Sequence, residues 1–226
     1  MGIQWIIFIG VMIASWLVQQ NLQRKFKKYS AVRNESGLTG QQIAEKMLRD
    51  NGIYDVRVTH VSGQLTDHYN PVTKTVNLSQ GVYESNSVMA AAVAAHECGH
   101  AVQHATAYGP LTMRSKLVPV VSFASQWMQW VILAGILLLN TYPQILLIGI
   151  ILFAITTAFS LVTLPVEINA SKRALAWLSA AGMTTSRNHA MAEDALKAAA
   201  YTYVVAAVGS MATLLYYIMI YTNRRD

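Results

Sequence analysis

A lone cysteine, Cys98, among 226 residues excludes an intramolecular disulfide and leaves its small apolar side chain to pack within a helix. Charge is scarce as well. Charged residues make up 12% of the chain against 54% hydrophobic, where soluble domains carry roughly 25% charge, so much of the chain is expected in lipid or deeply buried. Acidic residues are the rarer sign, 11 against 17 basic, for a net charge of +6. That surplus does not mark a nucleic-acid binder. Arg24, Lys25, Lys27, Lys28 and Arg33 gather beside an apolar run instead of interleaving with exposed aromatics, so the bilayer and its headgroups are the expected partner. Nor is there an internal repeat, a low-complexity tract, or an ionisable residue inside the apolar runs. The last absence removes the polar conduction path of a small transporter.

What the chain does have is long apolar runs. Ile3 to Val18 carries Trp5 and Trp16 near its ends, the aromatic-belt pattern of a membrane anchor. A cleaved signal peptide fits less well, because the positive charges follow the run and no small-x-small site precedes "NLQRKFKKYS". Val118 to Leu139 and Ile145 to Leu164 flank the turn-forming "NTYPQ" and read as a transmembrane hairpin. Val204 to Tyr221 is long enough to span, and its Ala206, Ala207, Gly209, Ser210 and Ala212 would allow close helix packing; a buried helix of a soluble domain is the rival for this run. The basic cluster after the first run puts residues 21–116 in the cytoplasm, the uncharged "NTYPQ" outside, and residues 166–202, with Lys172, Arg173, Arg187 and Lys197, back in the cytoplasm. Residues 1–20 are then an anchor, 117–165 the hairpin, and 203–226 a last helix and tail. Arg224 and Arg225 oppose that final crossing.

The first cytoplasmic segment has mixed character. "SGLTGQQIAEKMLRDNG" places a threonine before periodic Ile43, Ala44, Met47 and Leu48 and Asn-Gly after them, the start and stop of a short helix. "DVRVTHV" and "TKTVNLS" alternate like strands, with "TDHYNP" as the turn between them, and Ala90 to Ala107 is helical again.

Within that last helix stands "HECGH". His96 and His100, four residues apart, project from one helix face where a tetrahedral zinc could take both imidazoles. Glu97 is beside them, placed to accept a proton from an attacking water and to pass it to a leaving amine, which is why H-E-x-x-H marks metalloproteases. The competing reading is a helix whose histidines are satisfied by hydrogen bonds. It is disfavoured because Ser87 to Ala95 is small and apolar, and two buried histidines flanking a carboxylate need a strong polar partner. Hydrolytic zinc sites use three protein ligands. His104 continues the face but curves away from one metal, leaving it as a second-shell or surface residue. Glu167, in "LPVEINASKRALAWL", is the stronger candidate. It stands at the cytoplasmic mouth of the third run, opens an amphipathic helix with Ile168, Leu175 and Leu178, and two crossings return it to the motif's side. An N-terminal charge favoured by the helix dipole is the alternative.

"LTDHYNP", "NLSQGVYESNS", "AAVAAHECGHAVQHA" and "LPVEINASKRALAWL", with the anchor and "SGLTG", resemble the YugP-type neutral zinc metallopeptidases of bacterial membranes across nearly the whole chain. The order of H-E-x-x-H, hairpin and Glu is more distantly similar to the HtpX and CAAX prenyl protease group. The resemblance implies a mainly α integral membrane protein, with about four transmembrane helices and a small α+β zincin-like cytoplasmic region. It further implies Zn2+ held by His96, His100 and Glu167, with Glu97 as general base. In the distant group an aspartate often follows the glutamate ligand by four positions; here that position is Ser171, and Asn169 offers a replacement hydrogen bond.

The expected activity is endopeptidase cleavage of membrane or unfolded proteins at a cytoplasm-facing site. A non-enzymatic zinc sensor or scaffold is the alternative, although it would have no use for Glu97. A membrane-protein partner and a homo-oligomer both stay open. "TKTVNLS" is placed as the edge strand of a zincin site would be, or else as an ordinary core strand. His68, His189, Tyr201 and Tyr203 are the available oxyanion donors, with His189 preferred.

Overall fold

Each apolar run falls in one long helix that is longer than the run, except that the last two residues of the second run, Leu138 and Leu139, lie in the turn after its helix. The computed structural model describes residues 3–223; Arg224 and Arg225 lie outside the described residues. The element order is α1 (Ile3–Ser30), α2 (Gly40–Asp50), β1 (Arg57–Val61), β2 (His68–Asn70), β3 (Thr75–Ser79), α3 (Gln80–Tyr83), α4 (Val88–Ala105), α5 (Gly109–Leu137), α6 (Pro143–Ala180) and α7 (Ser186–Thr222). The fold is mostly helical with one small sheet. Among the described residues, four helices are long and apolar enough to cross a membrane: Trp5–Ser30, α5, α6 and α7.

One expectation is corrected in α6. Glu167 does not open a new helix, because α6 runs unbroken through Pro165 for 38 residues. Proline forgoes one backbone hydrogen bond, at a cost of about 3 kcal/mol. Complete burial of Val166, Ala170, Ala174 and Leu178 just beyond it offsets that cost and holds the helix together.

The chain divides into two compact units. The apolar unit comprises the chain up to Leu17, Thr112–Pro165 and the chain from Thr202. Its core is Ile132, Leu146 and Ile150, packed with Met128, Phe153 and Tyr217. Glycine makes that packing possible. A Cβ on Gly135 would lie 2.5 Å from Leu146 Cα, one on Gly149 2.8 Å from Ile132 Cγ1, and one on Gly209 2.8 Å from Val11 Cγ1. Helices that meet at such positions gain dispersion contacts without needing a hydrophobic drive. The outward surface is strongly apolar, with Trp130 66% and Leu137 75% exposed.

The mixed unit comprises Val18–Leu111 and Val166–Tyr201. Thr39 caps α2 in a reciprocal box: its hydroxyl accepts from Gln42 N, and the Gln42 side chain accepts from Thr39 N. The α2 stripe of Ile43, Ala44, Met47 and Leu48 is buried in the same core as the small residues of α4, which Ser87 caps through Ala90 N. Sheet order is β1-β3-β2, with β1 parallel and β2 antiparallel to β3. Two readings are corrected here. The "TKTVNLS" strand is central, so both of its edges are taken and it cannot receive a substrate strand. The "TDHYNP" segment contains β2 itself; the turn comes after it, where Asn70 Oδ1 accepts from Val72 N and Thr73 N. β3 is the core strand because Val76 and Leu78 point into the α2–α4 cluster and are fully buried.

Candidate active site

Two helices of the mixed unit bring the site together, and a glycine sets how near they come. A Cβ on Gly99 of α4 would lie 2.6 Å from Ala170 O and 3.2 Å from Ala170 Cα of α6. No side chain fits there, so α4 crosses α6 backbone to backbone beside Glu167. His96 and His100 project from α4 into that crossing, their rings 4.8 Å apart and nearly perpendicular.

Glu167 Oε2 lies 3.3 Å from His96 Nε2 and 3.4 Å from His100 Nε2, and the ligand atoms of all three residues fall within 4.8 Å of one another. Donors about 2.0–2.1 Å from one tetrahedral zinc are themselves about 3.3–3.4 Å apart. The two nitrogen–oxygen separations match that figure, and two imidazoles with one carboxylate are the ligand types zinc takes. Glu167 and His100 are buried and His96 is half-buried. Burial by itself disfavours the His100 imidazolium, but the hydrogen-bonding Glu167 carboxylate and the nearby Glu97 charge outweigh it, so the His100 pKa lies above its ordinary value.

Glu97 is buried on α4 with no hydrogen-bonding partner fixed on it among the described residues. Its neighbour Cys98 takes no part. The thiol lies 3.5 Å from Ala44 O, and full burial pushes its pKa well up, which keeps it an inert packing group.

Each of the two imidazoles is also held at its other ring nitrogen. Ser171 Oγ is 3.1 Å from His96 Nδ1, at the position where the distant group often carries aspartate. Gln103 Oε1 is 3.0 Å from His100 Nδ1. Asn169 touches neither histidine; its Oδ1 accepts from Gln103 Nε2 at 3.0 Å and from Arg173 Nε at 2.8 Å. Sequence reasoning passed over Gln103, Arg173 and Gly99. The signals were present: Gln103 follows His100 by three residues on the same helix face, and a glycine inside a helix usually marks close packing.

The remaining candidates have partners and surroundings of their own. His104 is exposed, its Nδ1 2.8 Å from Tyr69 OH, and is not part of the ligand cluster. His189 Nδ1 pairs with Thr184 Oγ1 at 3.3 Å and His68 Nδ1 with Thr66 O at 2.8 Å. Tyr201 is 56% exposed, and Tyr203 belongs to the apolar unit.

Comparison with known proteins gives the arrangement a family. The family described as "Putative neutral zinc metallopeptidase" matches residues 4–222. The chain is 43% identical over 224 residues to "Putative membrane protease YugP" of Bacillus subtilis (strain 168), covering 97% of this chain and 99% of that protein. No solved structure matches. The protein therefore belongs to the neutral zinc metallopeptidase family, whose metal is Zn2+.

Proposed function

We propose that the chain is an integral-membrane zinc endopeptidase in which His96, His100 and Glu167 hold the metal and Glu97 is the general base. Its zincin-like catalytic region would be formed by residues 21–116 and 166–202 on the cytoplasmic side, the remaining helices lying in the bilayer. The observation that carries this reading is the convergence of two imidazoles and one carboxylate within 4.8 Å of one another, next in sequence to a buried glutamate.

A zinc ion held by His96, His100 and Glu167 would supply Lewis acidity toward a scissile carbonyl and an attacking water. Glu97 accepts the proton of the attacking water on its carboxylate and delivers it to the leaving amine nitrogen. Ser171 and Gln103 hold the two imidazoles in place, and the buried surroundings keep their interactions strong. The substrates proposed are membrane proteins and loosely folded polypeptides, since Glu167 follows the apolar run ending at Leu164 by only three residues.

Cleavage of casein by the detergent-purified chain tests the reading. Wild-type protein should cleave, a chelator should stop it, and Glu97→Gln should lose about 100-fold or more of the rate while keeping its zinc. Wild-type rates in Glu97→Gln would remove Glu97 from the mechanism.

A further inference from the structure

The hydrogen bonds behind His100 have a polarity that only one arrangement satisfies. Arg173 can donate but not accept, and its Nε donates to Asn169 Oδ1 at 2.8 Å. Turning the Asn169 amide over would set an N–H against the guanidinium, so this oxygen stays an acceptor. It also takes a hydrogen bond from Gln103 Nε2 at 3.0 Å, and Gln103 Nε2 donates again to the Val166 carbonyl at 2.8 Å. Both partners can only accept. The fully buried Gln103 amide is thereby fixed as well, with Oε1 facing His100 Nδ1 at 3.0 Å. An oxygen there requires hydrogen on Nδ1, which in the neutral ring leaves the Nε2 lone pair facing Glu167.

We propose that Arg173, Asn169 and Gln103 form a directional hydrogen-bond chain that holds His100 in the tautomer able to bind zinc, with Gln103 as its positioning residue. The inference rests on the ligand assignment above. Gln103 also bridges the two ligand-bearing helices, since Val166, whose carbonyl it grips, immediately precedes Glu167. His96 is treated differently. The Ser171 hydroxyl at its Nδ1 can donate or accept, so it steadies the ring without dictating the tautomer.

The test is zinc affinity of the full chain in detergent, by competition with a chromophoric chelator, together with the visible spectrum of the Co2+-loaded protein. Gln103→Met should bind zinc about 10–100-fold more weakly. Arg173→Met, two hydrogen bonds further from the ligand, should lose about 3–10-fold on the same scale. Arg173→Lys, which can still only donate to Asn169, should restore affinity to within about twofold and return the Co2+ spectrum to that of wild type. A merely structural role for Arg173 would not separate lysine from methionine in this way. Equal affinities for Arg173→Met and Arg173→Lys, or wild-type affinity in Gln103→Met, would overturn the chain; if Gln103→Met does not fold, the Arg173 pair decides alone. Glu167→Ala in the same assay separates the two levels. Its retention of zinc overturns the ligand assignment, whereas its loss of zinc alongside unaffected Gln103→Met and Arg173→Met overturns only the tautomer chain.

Discussion

The apolar unit and the mixed unit use the same device, a glycine at a helix crossing, for different ends. Gly135 and Gly149 let α5 and α6 pack on each other's backbone and deliver nothing but contact. Gly99 lets α4 meet α6 equally closely, and there the contact brings a carboxylate to two imidazoles. The units also differ in what they leave outside. The apolar unit exposes its largest side chains, such as Trp130, whereas the mixed unit buries Ile43, Met47 and Leu78 completely. Where the surroundings are as apolar as the side chains, burial gains little, and close packing has to hold the helices together. Where the surroundings are water, a conventional core can stabilise a buried polar cluster that would otherwise be costly.

The contrast is most easily broken at the core of the mixed unit. Leu78→Ala should cost about 2–5 kcal/mol, seen as a large drop in the melting temperature of the metal-free protein. Gly99→Ala and Gly135→Ala form the next pair. Each forces a Cβ against backbone and should cost about 1–3 kcal/mol. Only Gly99→Ala should also weaken zinc, by tenfold or more on the scale of lost supporting contacts, when zinc is measured per folded chain. Equal zinc binding by both variants would remove the distinction drawn between the two crossings.

A smaller effect concerns pH. The His100 pKa is raised in the folded, metal-free protein, so its pairing with Glu167 stabilises fully below the unfolded value of about 6.5. That contribution is lost as pH rises through the folded value. Zinc requires the neutral imidazole, so the stabilisation by metal should grow over the same range. Melting of the metal-free and zinc-loaded protein should therefore diverge with rising pH, and in Glu167→Gln the metal-free slope should flatten. The smallest effect is expected on the outer face of the apolar unit. Trp130→Leu should change stability by no more than about 0.5 kcal/mol, with cleavage unaltered.

Much of this architecture could be read in advance where local chemistry decides it. The Thr39 box, the Asn51-Gly52 stop and the α2 stripe are all written within a few residues of one another. β2 could not be read, because three residues inside a polar segment show no alternation, and its pairing depends on Val76 and Thr75 of another strand. The unbroken α6 was hidden by Pro165, which ordinarily marks a boundary and is tolerated here only because the tertiary core holds the residues after it. At the site, the two histidines and Glu97 are evident from spacing alone. Glu167 stands 67 residues beyond His100 and is singled out by its position after an apolar run and the two crossings that return it to the motif's side, which the family resemblance then reinforces. Gln103 was missed because glutamine is not a ligand type. Its importance lies in the Val166 carbonyl and the Asn169 amide, which belong to a helix that sequence spacing cannot place beside it.

The most direct test of the central claim is zinc content per chain, after metal loading and removal of excess, in the wild type and in Glu167→Ala, with casein cleavage followed in parallel. The account predicts stoichiometric zinc and cleavage in the wild type and neither in the variant. Full zinc and undiminished cleavage in Glu167→Ala would contradict it, and the third ligand would have to be sought outside the His96, His100 and Glu167 cluster.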